Sequence, residues 1–400
     1  MRILWILLLL PSLLAAPNQT QEPMPQAQSI AEANNRFHFD FYAAALKSRQ
    51  SHNVFASSFS VSSAFALLYP GASGATADEL RRVFHFSPSA DFHQQFGEML
   101  RALSHHNAPE HSLEVANAVW LRQALKLQPN YEQLVKTAYN AEINLLDFTQ
   151  PQQAADRINT WTAQKTHDKI QKILDASDLQ PDTRLVLTNA LYFKSAWATP
   201  FPKHLTSTQP FYGATTTECA LMQQERKFRY FENELLQVIE LPYHDGKASM
   251  LIFLPKDKGR LAALEEAFDY QNYQVWTAAL RPELVQTYLP KFKIESSFQL
   301  NGTLEGMGLA TSFQNTASFR GLIAQESLKI SNVLHKAFVE VDEEGSEAAA
   351  VTAITMVRTT SVAEPIRQIA KVFRADHPFL FVIRDNAHGN ILFSGKVLRP

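Results

Sequence analysis

Cysteine is almost absent from this chain, since Cys219 is the only one among 400 residues. A single cysteine excludes an intramolecular disulfide, and it also excludes zinc sites built from paired CxxC motifs. Stability must therefore come from a hydrophobic core. We interpret Cys219 as a small buried apolar side chain rather than as a nucleophile.

Sequence motifs of enzyme chemistry are also missing. The chain contains no GxxxxGK[ST] or GxGxxG phosphate loop, no HExxH pair and no GxSxG nucleophile elbow. We therefore expect no cofactor and no metal ion, and we interpret His105, His106 and His111 as solvated side chains. A hydrolase whose triad is dispersed along the chain is kept as one hypothesis, although no local motif supports it.

The chain has no strong excess of charge of either sign. Lys plus Arg number 37 and Asp plus Glu number 39, giving a formal charge of -2. Neither nucleic acid nor a membrane surface is therefore an expected partner, and we expect a monomer. The basic stretch with Lys165, Lys169 and Lys172 also holds Asp168, so we interpret it as a solvated face.

The one apolar run that resembles a targeting signal lies at the N-terminus. Arg2 precedes the run at 3–10, which is too short to span a bilayer and fits a secretory signal peptide over 1–16. The Pro- and Gln-rich residues 17–28 are predicted to be a flexible lead. The protein is therefore expected to be secreted, either to the extracellular space or to a periplasm.

The remaining residues, 29–400, are predicted to form one domain. Apolar residues make up 46% of the chain, enough for a sizeable core, and no composition break or internal repeat divides the sequence. Two Asn-x-Thr sequons, at Asn18 and Asn301, are glycosylation candidates if the source glycosylates exported proteins.

Hydrophobic periodicity indicates an α+β fold. The helices are predicted over 29–47, 60–68, 91–103, 131–139, 151–173, 261–267, 273–280 and 300–307, with one more after a capping box formed by Thr76 and Glu79. The strands are predicted over 53–55, 113–123, 185–193, 228–241, 249–254, 285–294, 330–341, 372–374, 379–383 and 391–397.

The stretch 341–362 carries conflicting local preferences. Ala348 to Ala350 favour a helix, whereas the β-branched residues of 351–362 favour a strand. Interpreted as a strand, the stretch places Ser346, Ala348 and Ala350 on one small, uncharged face. A sequence that contradicts itself locally is a place to look for function, although an ordinary core element is the alternative.

Several motifs together resemble the serpin family. The C-terminal third carries FRADHPFLF at 373–381, ILFSGK at 391–396 and EEGSEAAA at 343–350. Earlier matches are NVFASSFS at 53–60, TNALYFK at 188–194 with Trp197, Phe201, Thr206 and Phe211, LPY at 241–243, LPKF at 289–292, and Met307-Gly308 with Phe313. Two departures are Ser58, where a proline is usual, and Asp168, where a glycine is common.

The resemblance implies a serpin fold of three β-sheets and eight or nine helices with an exposed reactive loop. It also implies a suicide-type inhibitor of serine, and also cysteine, endopeptidases. In that family, cleavage of the loop lets its N-terminal side insert as a new central strand, which traps the acyl-linked protease. This mechanism is an established property of the family rather than a deduction from these residues.

The hinge implied by the resemblance comprises Glu344, Gly345, Ser346, Glu347, Ala348, Ala349 and Ala350. Its small residues after the glycine suit entry into a sheet, which favours the inhibitory type. Non-inhibitory members commonly carry larger or charged residues there. A binding or carrier protein on the same scaffold is the alternative.

The family's count of fourteen positions after the hinge glycine places the attacked bond at Thr359-Thr360. A threonine would suit an elastase-like protease with a small primary pocket. Cleavage one residue earlier, at Arg358-Thr359, would suit a trypsin-like protease, whose pocket pairs a guanidinium with a carboxylate. Both alternatives stay open.

The resemblance also singles out a polar cluster beneath the sheet that must open, formed by Ser57, Ser60, Asn189 and His335. An ordinary buried hydrogen-bond network is the simpler interpretation. The two interpretations agree, because such a network would have to rearrange when the sheet opens.

Overall fold

The computed structural model describes residues 29–47, 51–104, 111–139, 142–244, 246–324, 327–346 and 369–400. The predicted signal peptide, the lead over 17–28, the sequon at Asn18, the hinge residues 347–350 and both candidate reactive bonds at 358–360 lie outside these ranges. Within the described ranges, no helix is both long enough and apolar enough to cross a membrane.

The described residues contain nine α-helices. They are α1 (Ile30–Phe41), α2 (Ser58–Leu68), α3 (Gly74–Phe84), α4 (Phe92–Ser104), α5 (Pro129–Leu134), α6 (Pro151–Lys165), α7 (Leu261–Ala267), α8 (Tyr270–Ala278) and α9 (Asn301–Gly306). Short π-helical turns, Tyr42–Leu46 and Val135–Tyr139, continue α1 and α5.

Fifteen strands accompany these helices in the described part of the chain. They are β1 (Val54–Ala56), β2 (His111–Arg122), β3 (Glu142–Leu146), β4 (Leu185–Ala196), β5 (Ser207–Tyr212), β6 (Thr216–Glu232), β7 (Leu236–Pro242), β8 (Ala248–Pro255), β9 (Arg281–Pro290), β10 (Phe292–Gln299), β11 (Asn332–Val341), β12 (Gly345–Ser346), β13 (Lys371–Arg374), β14 (Phe379–Asp385) and β15 (Ile391–Val397).

Hydrogen bonding groups the described strands into two sheets, whereas the resemblance implies three. One sheet has six strands in the order β10-β11-β12-β4-β2-β3, and the other has nine. The nine-stranded sheet has two halves, because β6 changes partners along its length. Its residues 216–230 pair with β5 and β9, and its residues 229–232 pair with β7. The long strand β6 thus joins two sheets into one.

The main hydrophobic core lies between the two sheets and the helices around α2. Strand β8 is buried along its whole length, and α2 is buried on every side. The near-continuous apolar sequence of β4 predicts a strand covered on both faces, and the core residues confirm this. A second core lies under α6, where Trp161 packs edge-on against Trp120 with their ring centroids 5.6 Å apart.

Helix α6 is shorter than the predicted helix over 151–173. It ends at Lys165, and the chain then passes through His167 and Asp168, which have φ angles of 49° and 62°. The apolar pattern continues because Ile170 and Ile173 stay buried without being helical. The left-handed backbone also explains why a glycine suits position 168 better than most residues, although aspartate tolerates it.

Two predicted strands are each divided in the structure. Asn233 ends β6, and its side chain accepts hydrogen bonds from the backbone N–H groups of Leu235 and Leu236 in a tight turn before β7. Lys291 separates β9 from β10. The short strands β3 and β5 were not predicted.

The predicted capping box at the start of α3 is wrong. The helix begins at Gly74, and Thr76 instead accepts a hydrogen bond from the N–H of Ser318. The carboxylate of Glu79 accepts hydrogen bonds from the N–H and hydroxyl of Thr311. Both side chains therefore fasten a distant loop rather than the helix terminus.

Candidate functional site

The centre of the six-stranded sheet contains a seam between two parallel strands, β4 and β11. They pair from Asn332 opposite Val186 to Ala337 opposite Leu191. Beyond this point the strands diverge, and β12 fits between them, with Ser346 opposite both Val341 and Ser195. The described part of the predicted hinge thus already occupies the open end of the seam.

Gly345 is required by the close approach of two backbones. It has a φ of 157°, and a Cβ atom at this position would lie 2.2 Å from the carbonyl oxygen of Ser195 and 2.6 Å from the Cα of Ala196. Such distances are impossible without moving β4 or β12. The hinge can enter between the strands only because this residue has no side chain.

Ser346 is the first hinge side chain inside the sheet. It is fully buried, and its Oγ atom shares a hydrogen bond of 2.7 Å with the hydroxyl of Tyr243. The ring of Tyr243 stacks on Trp197 at 4.8 Å between centroids. Burial raises the pKa of Tyr243, so its hydroxyl stays neutral and remains available as a donor.

Backbone hydrogen bonds fix the residues that lead into the hinge. The N–H of Trp197 donates to the carbonyl of Glu344 at 2.8 Å, and the N–H of Phe201 donates to the carbonyl of Glu343 at 2.9 Å. The indole of Trp197 donates to the carbonyl of Asp342 at 2.9 Å. The segment after β4 therefore holds the turn between β11 and β12.

Two neighbouring carboxylates anchor this turn very differently. Glu343 is 7% exposed and accepts hydrogen bonds from Lys291 at 2.8 Å and from Thr206 at 2.9 Å. Burial alone would raise the pKa of Glu343, but these donors outweigh it and hold the pKa below its usual value. Glu344 pairs at 2.7 Å with Lys203, whose side chain is mostly exposed.

The four residues of the predicted polar cluster lie together across the closed part of the seam. The N–H of Ser57 donates to Nε2 of His335 at 3.0 Å, so the proton of this imidazole sits on Nδ1 and is donated to Oδ1 of Asn189 at 2.5 Å. The amide nitrogen of Asn189 donates to the hydroxyl of Ser60 and to the side chain of Asn117.

His335 is neutral in this environment. Complete burial lowers its pKa from 6.5 to about 3, and the hydrogen bond with Asn189 opposes only part of this shift. Because His335 belongs to β11 and Asn189 to β4, their hydrogen bond crosses the seam. Separation of the two strands would break it.

Helix α6 and the segment after it cover the same part of the seam. Ala190 from β4 and Leu334 from β11 both pack in the second core beneath this helix. The amine of Lys336 donates to the carbonyl of Lys172 at 2.9 Å, and the amide of Asn332 donates to the carbonyl of Asp178 at 2.8 Å. The closed part of the seam is therefore held from both faces of the sheet.

Sequence reasoning missed the residues that hold the hinge in place, which are Tyr243, Lys291 and Lys203. Tyr243 and Lys291 lie inside two motifs that carry the resemblance, LPY and LPKF, but the sequence alone assigns no role to either residue.

The other sequon, Asn301, is partly buried. Its amide donates to Ser331 and accepts from the N–H of Val333, which disfavours a sugar on this nitrogen in the folded protein.

The arrangement permits a change of strand pairing, because β12 already lies between β4 and β11 at the open end of the seam. No group of three or more His, Cys, Asp or Glu residues able to hold a metal ion occurs in the ranges that the structure describes. The groups at the seam are neutral or paired. These groups can hold β4 and β11 together along the closed part of the seam, while β12, the start of a further strand, lies between them at the open end.

Comparison with known proteins identifies relatives over almost the whole chain. The family model described as "Serpin (serine protease inhibitor)" matches residues 32–400. Iripin-2 of Ixodes ricinus is 38% identical over 379 residues, covering 92% of this chain and 93% of its own. Leukocyte elastase inhibitor of Xenopus tropicalis is 35% identical, covering 93% of this chain and 100% of its own.

Solved structures show the same fold. Serpin48 of the insect Tenebrio molitor superposes with a TM-score of 0.82 at 32% identity, covering 94% of this chain and 99% of that one. Human thyroxine-binding globulin, solved in complex with thyroxine, has a TM-score of 0.83 at 28% identity, covering 93% and 98%. The predicted α+β serpin fold is confirmed, and this chain belongs to the serpin family, whose members are generally protease inhibitors rather than enzymes.

Proposed function

We propose that this protein inhibits serine endopeptidases, and also cysteine endopeptidases, by inserting its cleaved reactive loop between β4 and β11. The observation that carries the proposal is the position of Ser346, small, uncharged and buried at the open end of the seam. A strand that continued from Ser346 would have β4 on one side and β11 on the other. The hinge therefore starts at the place where insertion would proceed.

Insertion would be strongly favourable. A new central strand of about ten residues would add about ten ladder hydrogen bonds at roughly 0.5–1.5 kcal/mol each, together with side-chain burial. Cleavage frees one end of the loop and so removes the constraint that prevents insertion. The inhibitor then acts if insertion is faster than hydrolysis of the acyl-enzyme.

The proposed reactive bond, which the target protease attacks, is Thr359-Thr360, with Arg358-Thr359 as the second candidate. The first bond favours an elastase-like target and the second a trypsin-like target. A relative named for elastase inhibition supports a protease partner in general, without selecting between an elastase-like and a trypsin-like target.

We also propose that the protein is secreted after removal of residues 1–16, because the apolar run follows Arg2 and is too short to span a membrane.

The test is incubation of the protein with elastase-like and trypsin-like proteases. We expect a covalent complex that survives SDS, and mass spectrometry of the released C-terminal peptide identifies the bond. Ser346→Arg should abolish the complex while the loop is still cleaved, because a guanidinium cannot enter the buried site. Ser346→Ala is the matched control and should retain the complex. Clean cleavage of the wild type by every protease, without a complex, would contradict the proposal.

A non-inhibitory carrier is the second candidate function. It is favoured by one observation, the similar fold of thyroxine-binding globulin solved in complex with thyroxine. The two functions differ in what cleavage does. An inhibitor should gain thermal stability when its loop is cut, because the loop becomes a strand. An unchanged melting temperature after complete cleavage would favour the carrier.

A further inference from the structure

Two buried side-chain hydrogen bonds join α1 to α2. Nδ1 of His38 lies 2.9 Å from Oγ of Ser58. One turn away in each helix, the hydroxyl of Ser62 donates to Oδ1 of Asn34 at 2.7 Å. The contact repeats because residues four apart lie on the same face of a helix. All four residues are at most 1% exposed, so the two contacts have similar surroundings and differ chiefly in their position along α2.

The contact made by Ser58 lies next to the polar cluster at the seam. Ser58 is the first residue of α2 and directly follows the N-cap, Ser57. The N–H of Ser57 donates to Nε2 of His335 at 3.0 Å, and its hydroxyl donates to the carbonyl of Leu392 at 2.6 Å. A restraint on Ser58 therefore acts on the residue that holds His335. Ser62 lies one turn further into the helix, away from this N-cap.

The imidazole of His38 is held in one orientation. Its other nitrogen, Nε2, has no hydrogen-bond partner among the described residues, so Ser58 is the polar contact that orients the ring. The ring also packs edge-on against Phe39, with the centroids 4.9 Å apart. Complete burial lowers the pKa of His38 from 6.5 to about 3, so the ring is neutral. A fixed ring of this kind can hold the serine that it contacts.

The first residue of a helix is a position where a restraint matters. The N–H groups of the first turn have no partners within the helix, so this end is less constrained than the helix interior. A proline restrains the backbone at the first position because its ring fixes φ. Ser58 occupies that position in α2, and a serine has no such ring. The hydrogen bond to His38 supplies a restraint from α1 instead.

We infer that His38 is a positioning residue for the seam between β4 and β11. His38 holds Ser58, which keeps the N-cap Ser57 in the position from which its N–H donates to His335. The contacts thus run from α1, through the start of α2, to the hydrogen bond that joins β11 to β4. Loss of the contact in α1 should loosen the closed part of the seam. The position of Ser57 is a property of the fold, whereas the consequence for inhibition rests on the proposed function.

The first test is amide hydrogen exchange of the full-length protein, in which Ser58→Ala is compared with Ser62→Ala. Each variant removes one buried hydroxyl and one hydrogen bond between α1 and α2, so the two are chemically matched. In Ser58→Ala, protection of the Ser57 amide should fall about tenfold relative to the slowest amides of β8, as for the loss of one buried hydrogen bond. In Ser62→Ala this ratio should keep its wild-type value. The same ratio in both variants would overturn the inference.

Ser58→Pro separates the restraint from the hydrogen bond. It also removes the hydroxyl, but its ring restrains the first helical residue. Ser57 has a φ of -120° and a ψ of 101°, an extended conformation that a following proline accepts. Protection of the Ser57 amide should therefore stay near the wild-type value in Ser58→Pro. His38→Ala should lower this protection in the wild-type background and leave it unchanged in Ser58→Pro. An equal loss in both backgrounds would overturn the positioning role.

The second test connects the position of Ser57 with insertion. The wild type and the variants are incubated without protease, and the fraction that still forms an SDS-resistant complex is followed over time. Ser58→Ala should lose this capacity several-fold faster than the wild type, because a looser seam lets the uncut loop insert. Ser62→Ala and Ser58→Pro should match the wild type, and equal rates for Ser58→Ala and Ser62→Ala would overturn the link to insertion. A wild type that forms no complex would contradict the proposed function instead, and hydrogen exchange would still decide the role of His38.

Discussion

The two ends of the seam between β4 and β11 are held by different kinds of contact. At the closed end, side chains meet across the strands, from the His335–Asn189 hydrogen bond on one face to the second core under α6 on the other. At the open end, the hinge and the turn before it are held by backbone hydrogen bonds, by the Ser346–Tyr243 hydrogen bond and by the ion pairs of Glu343 and Glu344 with lysines. The side-chain contacts at the closed end must break during insertion, whereas the hinge at the open end is the part of the chain that must enter the sheet.

This contrast gives a sequence of events for insertion. The open end already has Ser346 between the strands, so entry requires no new opening there. Each further residue pair must divide β4 from β11, and the first side-chain barrier is the buried polar network. An unsatisfied buried polar group costs about 1–3 kcal/mol, so the network should resist opening until the incoming strand replaces its lost contacts.

The largest effect is expected at the open end, where Gly345→Ala places a methyl group against the backbone of β4. Overpacking of this kind costs roughly 1–3 kcal/mol, and backbone strain at the positive φ adds of order 1–3 kcal/mol. Urea unfolding should show the combined loss. Gly302→Ala is the matched control, since nothing lies within 4 Å of a Cβ at that position. Equal stabilities for the two variants would contradict the close approach.

The closed end can be tested through the acid sensitivity of His335. The pKa of His335 is about 3 in the folded protein and 6.5 in the unfolded chain. Between these two pH values the unfolded chain therefore binds a proton at this residue and the folded protein does not. The wild type should therefore lose about 1.4 kcal/mol more per pH unit than His335→Gln as the pH falls from 6.5 towards 3. Urea unfolding at several pH values measures the two slopes.

The control for this slope is His204→Gln, which removes an exposed histidine. Its slope should match that of the wild type. If His335→Gln also keeps the wild-type slope, the imidazole does not stay neutral at the seam. The account of the closed end as a buried, uncharged network would then be contradicted.

A smaller effect is expected from the carboxylate that anchors the turn before the hinge. Glu343→Gln removes the charge that Lys291 meets and should cost about 1–3 kcal/mol at neutral pH. Because the folded pKa of Glu343 lies below the ordinary 4.5, its contribution is fully present above that value and is lost as the pH falls below it. The difference between wild type and Glu343→Gln should therefore shrink in acid.

The neighbouring variant Glu344→Gln sharpens the same test. The Lys203–Glu344 pair involves a largely exposed amine, and exposed pairs contribute about 0–1 kcal/mol. Its effect should be small and should decrease further at high salt. Equal losses for the two variants would mean that burial does not distinguish the two anchors.

The sequence predicts the positions of helices and strands well where the local hydrophobic pattern determines them. The apolar run of β4 and the C-terminal strands β14 and β15 are found as predicted. Predictions fail where a residue's partner is remote in sequence. Thr76 and Glu79 form a plausible capping box, yet their hydrogen bonds go to residues more than 230 positions away.

The same reason explains which parts of the site were predicted. The small residues of the hinge and the four members of the polar cluster follow from the family resemblance. The anchors do not, because Lys291 meets Glu343 across 52 positions and Tyr243 meets Ser346 across 103. Lys291 was further hidden inside a predicted strand that the structure divides into β9 and β10.

The central claim is that β4 and β11 must separate, and a reversible cross-link between them tests it most directly. Ala190 and Lys336 are partners across the seam, and neighbouring strands lie within the reach of a disulfide. The double variant Ala190→Cys/Lys336→Cys is compared with each single variant under oxidising and reducing conditions, with a protease that cleaves the loop. We predict that the oxidised double variant is cleaved without forming an SDS-resistant complex and that reduction restores the complex. Equal complex formation in the oxidised and reduced protein would contradict insertion at this seam.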